Sequence, residues 1–331
     1  MTNDLSSKIT VCIPYYGKNR DPDLIRILVN NAKSYELFFY ILHADIDSNL
    51  FAKALDIRNV YAVNTGSILN VSKARNRLIE LCTTKYLTFL DADDSINYKL
   101  LLLTLQQADS FDADVIISPY QEEHRCYYGK VNKCTFLTDY LSKPYGKSIL
   151  HVCWSKIYRV SVLKSKKITF PESWSIYEDT YFVSQIIKYT DNIYFGSHIF
   201  YSYNLNNTGL SSKLHLNPCR FHHSLRMYAG ILSDDNTQCT EKLLETATSY
   251  FFHKINFMLL SRSLLYQLYV NFLLISNRYI WRSLLVFPNS NHSKVHVLNN
   301  HMISLVFTPL SIACNRFFDN KYPRQERTPN I

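Results

Sequence analysis

The sequence predicts an α/β fold: a mostly parallel sheet with helices on both faces, followed by a helical C-terminal region. Three observations predict it. Over the first two hundred residues, near-continuous apolar runs alternate with segments whose apolar residues recur at helical spacing, the pattern of a parallel sheet covered on both faces. Hydrophobic residues make up 47% of the chain and charged residues 19%, which suits a packed interior and excludes intrinsic disorder. After about residue 216 the strand pattern gives way to aromatic-rich helical periodicity. The 331 residues therefore divide into residues 1–215 and residues 216–331, enough for one large core or two modest ones.

Each element follows from local chemistry. Residues 8–15 (KITVCIPY) are a short apolar run ending in a proline-tyrosine pair, hence a buried strand. Asp21-Pro22 supplies an N-cap and a proline at the first helical position, and Leu24, Ile25, Leu28 and Val29 continue at helical spacing. Residues 36–44 (ELFFYILHA) predict a second strand, 48–55 a short helix and 58–63 a third strand. From Asn70, an N-cap residue, Val71, Ala74, Leu78, Leu81 and Cys82 line one side of a helix. Residues 86–90 (YLTFL) predict a strand, 99–108 a helix and 113–118 a strand. Residues 121–144 read as irregular, with room for a hairpin. Residues 178–189 predict a helix with Phe182, Ile186 and Tyr189 on one stripe, and 192–203 one or two short strands. Further on, Leu243, Ala247, Tyr250, Phe251, Lys254 and Met258 repeat at helical spacing, and residues 256–285 continue that pattern.

Composition removes several classes. The 7 glycines include no G-x-G pair, so neither the dinucleotide fingerprint nor the Walker A loop is present. The 8 cysteines form no C-x-x-C, which argues against a zinc ribbon or a thioredoxin motif and for free thiols in a reducing cytosol. The polar start MTNDLSSK has no apolar signal region, and residues 302–314 are too short to span a bilayer and contain Pro309. A cytoplasmic protein is expected. Of the net charge of +9, residues 216–331 carry 12 basic and 6 acidic side chains. Such a basic, aromatic face suits an anionic membrane surface, phosphorylated substrates or nucleic acid, and equally suits plain solubility.

Four D-x-D triplets occur, at Asp21/Asp23, Asp45/Asp47, Asp91/Asp93 and Asp112/Asp114, so spacing alone carries no signal. Only Asp45/Asp47 and Asp91/Asp93 directly follow strands, where open α/β sheets bind ligands. Asp91-Ala92-Asp93-Asp94 sets three carboxylates in four residues, a cluster that a cation would neutralise. Hard oxygen ligands on a loop suit Mg²⁺ or Mn²⁺ shared with a substrate phosphate; the other reading is an acidic turn capping the next helix. Lys73, Arg75 and Arg77 lie in the first turns of the helix after Asn70, an arrangement suited to anions or to a solvated basic face. Glu178-Asp179 opens a helix, either as favourable dipole partners or as a general base for an acceptor hydroxyl.

With these motifs in hand, the chain resembles the family 2 glycosyltransferases of the GT-A fold, a Rossmann-like α/β architecture, and particularly the bacterial enzymes that build lipopolysaccharide and capsule. The matching stretches keep the family's order. Residues 9–16 (ITVCIPYY) resemble its first strand, and residues 70–96 (NVSKARNRLIELCTTKYLTFLDADDSI) its A-R-N helix, next strand and D-x-D loop. Residues 152–163 (VCWSKIYRVSVL) resemble its W-x-K segment, 170–182 (FPESWSIYEDTYF) its F-P-E…E-D motif, and 201–212 (YSYNLNNTGLSS) its closing strand and loop. The resemblance covers about the first two thirds of the chain. The departures are Gly17 where the family has Asn, HADIDSN where it has a D-D-G-S turn, and Asn70 in place of a glycine.

The resemblance implies an inverting transfer of a sugar from a nucleotide-diphosphate sugar, a UDP-sugar first of all, to a hydroxyl of a glycan or lipid-linked acceptor. It implies nucleotide contacts from Pro14, Tyr15, Arg75 and Asp91, with Asp45 or Asp47 as a further nucleotide residue. It implies a divalent metal, Mn²⁺ or Mg²⁺, on Asp93, a catalytic base at Asp179 beside Glu178, and Trp154 and Lys156 near the acceptor. For Trp154, core packing is the competing reading. Peripheral contact of the basic C-terminal region with the inner face of an anionic bacterial membrane fits such an acceptor, and nucleic acid is not among the expected partners. Two other functions compete. A sugar nucleotidyltransferase would carry an early glycine-rich loop, and residues 15–20 hold one glycine. A non-catalytic membrane-surface module would leave the carboxylates without a purpose.

Overall fold

The computed structural model describes residues 6–16, 34–44, 59–67, 69–120, 128–131, 152–174 and 178–204, with isolated positions at 27, 30 and 31. All of them fall within one unit, Met1–Ile231. The helices expected around residues 48–55 and 243–285, the boundary near 215, and Asp21, Asp23, Asp45 and Asp47 lie outside the described residues; of the helix expected around residues 24–29 only Ile27 is described, and it is helical.

The elements, in order, are β1 (Ile9–Tyr15), β2 (Phe38–His43), β3 (Val60–Asn64), α1 (Val71–Leu81), β4 (Tyr86–Phe89), β5 (Ser95–Ile96) and α2 (Tyr98–Asp109). They continue with β6 (Val115–Ile117), β7 (Gly129–Lys130), β8 (Lys156–Arg159), α3 (Val160–Ser165), α4 (Glu178–Tyr189), β9 (Ile193–Phe195) and β10 (Tyr201–Ser202). Eight strands make one mixed, mostly parallel sheet in the order β3-β2-β1-β4-β8-β6-β9-β7, and β10 pairs with β5 in a separate ribbon. β1, β2, β3 and β4 run parallel, as do β6 and β9. β8 is antiparallel to both its neighbours, β4 and β6.

β1 is buried along its whole length. Its alternate residues Ile9, Val11, Ile13 and Tyr15 enter a core with Leu101 and Leu105 of α2. The residues between them turn to the other face, where Thr10 meets Thr84 (2.7 Å) just beyond α1, which packs on β1 and β2. Alternation along the strand thus sets α1 and α2 on opposite faces of the sheet. Where β9 ends, α2 comes so close that a Cβ on Gly196 would lie 2.7 Å from Thr104 Cγ2, so only glycine fits there without a shift.

α1 begins where the residue types require. Asn70 has extended backbone angles, and its side-chain oxygen accepts from Lys73 N–H at 2.8 Å, while its Nδ2 donates to Glu172 O at 2.7 Å. Asn70→Ala removes both bonds and is expected to cost about 1 kcal/mol, roughly 2–4 °C in a thermal melt. An unchanged melting temperature would show the cap to be dispensable.

The sequence pattern predicts β1, β2, β3, β4, β6, α1, α2 and α4 within two residues at either end, and the strands of 192–203 are β9 and β10. It does not single out β8 or α3. KIYR places charged residues inside a four-residue strand, and that strand exists because β4 and β6 leave a slot between them.

Candidate active site

The site lies at the C-terminal end of β4, beside α1 and the start of α4, where an open α/β sheet offers a crevice. Each residue of the A-R-N triplet has a separate task. Ala74 packs without any exposed surface. Asn76 ties α1 to the following F-P-E segment, donating to Phe170 O (3.0 Å) and Glu172 Oε1 (3.2 Å) and accepting from Phe170 N–H (2.7 Å). Arg75, with a side chain only 4% exposed, joins the two acidic segments. Its NH2 donates to Asp91 Oδ1 at 2.7 Å and its NH1 to Asp179 Oδ1 at 2.6 Å. The guanidinium lies near the rings of Phe170 (5.4 Å) and Phe89 (6.0 Å), part of an aromatic cluster with Tyr158 and Phe182. Although burial alone would lower it, the Arg75 pKa is raised well above its ordinary value by the neighbouring carboxylates, so it remains charged.

The carboxylates differ in environment. Burial pushes Asp179 up from its ordinary value, and the Arg75 charge opposes that shift. Burial, reinforced by the charge of Asp179, brings Glu178 up to about 7. The second oxygen of Asp179 accepts from Cys153 N–H at 3.3 Å. Asp93 is half-buried; burial first, then the neighbouring Asp91, raises its pKa, and no described cation pairs with it. Asp94 is buried, and its carboxyl is pushed up to about 7 by burial. It is held by Tyr201 Oη, which donates to Oδ2 at 2.6 Å, and by Asn204 N–H, which donates to Oδ1 at 2.8 Å. The same Tyr201 oxygen accepts from Asp91 N–H at 3.2 Å, and Asn204 Nδ2 donates to Asp93 O at 2.7 Å. The acidic loop is therefore clamped by the strand that closes the described fold.

Tyr201→Phe keeps the ring and removes both bonds of the hydroxyl. The expected cost is about 1–3 kcal/mol in thermal unfolding, because a buried carboxylate oxygen and a loop amide lose their partner. Unchanged stability would show that the clamp contributes nothing.

The structure brings Arg75, Asp91, Asp179 and Glu178 together, with Asp93 on the same loop as Asp91. Pro14 and Tyr15 end β1 and are buried, with the Tyr15 ring in the main core. Trp154 is buried and stacks at 12° on Tyr201 (4.7 Å) and on the exposed Tyr203 (5.2 Å). Lys156 is wholly buried, with its amine on backbone carbonyls. Asp112 and Asp114 belong to a separate ion-pair group with Arg159 (2.8 and 3.0 Å) and Lys85, so that D-x-D triplet is structural. Asp45 lies outside the described residues. Tyr201, Asn204 and Tyr158 are contributors that the sequence reading did not single out. The stretch 201–212 (YSYNLNNTGLSS), which resembles the closing strand and loop of the family, was the available signal for Tyr201 and Asn204.

Among the described residues no three potential ligand side chains converge on a metal position. A nucleotide-bound Mg²⁺ or Mn²⁺ needs fewer, since it takes one or two carboxylates with diphosphate oxygens and water. Asp93, raised in pKa and without a described counter-ion, fits that requirement.

A mixed, mostly parallel sheet with an acidic loop after its fourth strand and a paired carboxylate at a later helix start defines a GT-A-type domain. Residues 10–164 match the family model described as glycosyl transferase family 2, and this segment is a family 2 glycosyltransferase domain. Among solved structures, the chain is similar to S. aureus TarS 1-349 in complex with UDP-GlcNAc, with a TM-score of 0.66 and 16% identity over 97% of this chain and 98% of that one. It is similar to S. aureus TarS 1-349 in complex with UDP, with a TM-score of 0.63 and 15% identity over 98% and 94%. Against the crystal structure of S. aureus TarS the TM-score is 0.63 at 16% identity, covering 98% of this chain and 57% of that one. At these identities the likeness shows the fold. No curated protein matches the chain. Among the described residues, no helix is long and apolar enough to cross a membrane.

Proposed function

We propose that the chain is an inverting glycosyltransferase that moves a sugar from a UDP-sugar to a hydroxyl of a glycan or lipid-linked acceptor in bacterial surface polysaccharide synthesis. One observation carries this reading: Arg75 binds Asp91 and Asp179 at once, so the loop expected to face the nucleotide and the residue expected to act as base form one constellation. The similarity to a structure holding UDP-GlcNAc makes that molecule the first donor to try.

In this reading Asp91 contacts the nucleotide ribose, and Asp179 takes the proton of the acceptor hydroxyl as its oxygen attacks the anomeric carbon. The bond from that carbon to the diphosphate breaks in the same displacement, and the electron pair leaves with the diphosphate. A single displacement inverts the linkage and needs no nucleophilic carboxylate. Asp93 would hold a divalent cation together with the diphosphate, and such a cation offsets charge on the leaving group. Arg75 and Cys153 N–H each hold one oxygen of Asp179, which restricts how its carboxylate can turn. Trp154 lines the acceptor side, and the basic residues 216–331 face an anionic membrane, which low-salt liposome binding would test.

The test is calorimetric titration of UDP with and without Mn²⁺, repeated on Asp93→Ala. The expected result is Mn²⁺-dependent binding that Asp93→Ala weakens by at least about 10-fold. Metal-independent binding would remove Asp93 from that role. Absence of binding to UDP and to other nucleoside diphosphates would overturn the proposal.

A further inference from the structure

The segment 152–155 crosses behind Asp179, and its three leading carbonyls are all bound by side chains of one strand. Lys156 Nζ donates to Val152 O at 2.6 Å and to Trp154 O at 3.2 Å. Tyr158 Oη donates to Cys153 O at 2.6 Å. Both side chains are wholly buried. They stand two apart in β8 and so project from the same face of the sheet.

The next residue is pinned as well. Ser155 has φ +57°, the left-handed region that a residue with a Cβ enters rarely and only when its surroundings hold it. Its Oγ donates to Ser118 O at 3.0 Å, and its carbonyl accepts from Ser118 N–H at 3.0 Å. With the carbonyls of 152–154 taken up by Lys156 and Tyr158, the Cys153 N–H reaches Asp179 Oδ2, while Arg75 holds Oδ1. The Trp154 ring lies against Tyr201 and Tyr203, the former being the clamp of the acidic loop.

We propose that Lys156 and Tyr158 are positioning residues that hold segment 152–155 from one face of β8, so that Cys153 N–H orients Asp179 and Trp154 is set against Tyr201. This rests on the reading of Asp179 as the general base. Lysine suits the place because a long apolar stem carries several donors to two carbonyls that a shorter amide side chain could not reach together. The residue acts through the backbone and touches no substrate. Burial brings its amine down to about 7, and even the neutral amine keeps two N–H donors for the two carbonyls.

The test uses Lys156→Met and Tyr158→Phe in the full chain. Hydrogen exchange of the peptide covering 152–155 is read against α1 as an internal reference. Exchange there is expected to rise by about 10-fold or more in each variant while α1 stays protected. With a donor that the wild type turns over, kcat is expected to fall by about 10-fold or more, since small misplacements of a reacting group are costly. UDP affinity is expected to stay within about twofold, because the nucleotide contacts are untouched. Should Lys156→Met not fold, Tyr158→Phe decides, since it removes one oxygen and keeps the ring.

Unchanged exchange at 152–155 overturns the proposal, and so does raised exchange with an unchanged kcat. A wild type that turns over no nucleotide sugar overturns the reading of Asp179 and with it the catalytic half; the exchange result then still decides whether the two side chains hold the loop.

Discussion

Asp179→Asn is expected to lower kcat by about 10²–10⁴-fold, the range for loss of a general base, while UDP affinity stays within about twofold. Asparagine matches the carboxylate in size and can still accept from either Arg75 or the Cys153 N–H. It cannot take a proton from an attacking hydroxyl. The fold should survive, since Arg75 keeps Asp91 as a partner. In the wild type, activity requires the ionised carboxylate, so the rate falls as pH drops through the pKa of the base. Burial raises Asp179, and Glu178 beside it is raised to about 7, so the acid limb of kcat/KM belongs to the pair and lies above the ordinary aspartate value of about 4. Wild-type turnover by Asp179→Asn would end its assignment as base, and an acid limb at the ordinary aspartate value would contradict the burial argument.

Arg75→Met is expected to have the largest effect on stability. The guanidinium is buried between two carboxylates and close to two aromatic rings. Removing it leaves Asp91 and Asp179 facing each other without a counter-charge. Breaking a buried pair by deleting one partner costs about 3–5 kcal/mol. For a domain of this size that corresponds to a drop of roughly 6–20 °C in melting temperature. The deficit should shrink as pH falls into the carboxylate range, because a protonated Asp179 no longer needs the guanidinium. Arg75→Lys separates charge from geometry. An ammonium keeps the charge, but it lacks the planar fork that reaches both acids, so stability should recover in part while kcat stays low. Denaturation at several pH values with kinetics on both variants checks this. Equal kcat for wild type and Arg75→Lys would show that the fork does not orient the base.

Much of this constellation was legible in the sequence. Asn70, Arg75, Asp91 and Asp93 lie within 24 residues on a helix and the loop after the next strand. Local periodicity and capping place all four. Asp179 stands 104 positions beyond Arg75, and only the order of motifs linked them. The ion pair of Arg75 with both acids was not predictable from charge pattern. Lys73 and Arg77 share the same turns and remain exposed, and Arg77 pairs with Glu80 instead (2.8 Å). Which cation of the three turns inward depends on the helix face that meets the sheet. Asp94 illustrates the same limit: adjacent to Asp93 in sequence, it is a buried anchor because Tyr201, 107 positions away, comes to meet it.

The sequence by itself determined the α/β class, the position of most of the described strands and helices, and the residue types available for metal, nucleotide and proton chemistry. Those follow from interactions within a few positions of chain: alternation along a strand, one-sided helical spacing, a cap three residues from its amide. The tertiary structure alone decided that β8 inserts antiparallel between β4 and β6, that Lys156 and Tyr158 on it hold the loop behind Asp179, and that Arg75 bridges two acids. The β8 pairings and the Arg75 bridges join segments 16 to more than 100 residues apart, and the carbonyls held by Lys156 and Tyr158, though only 2–5 positions away, lie behind Asp179 through a Cys153 N–H contact across 26 positions. No local propensity encodes such contacts. They arise when burial of the sheet faces brings polar groups together that must then pair with each other, because water no longer reaches them.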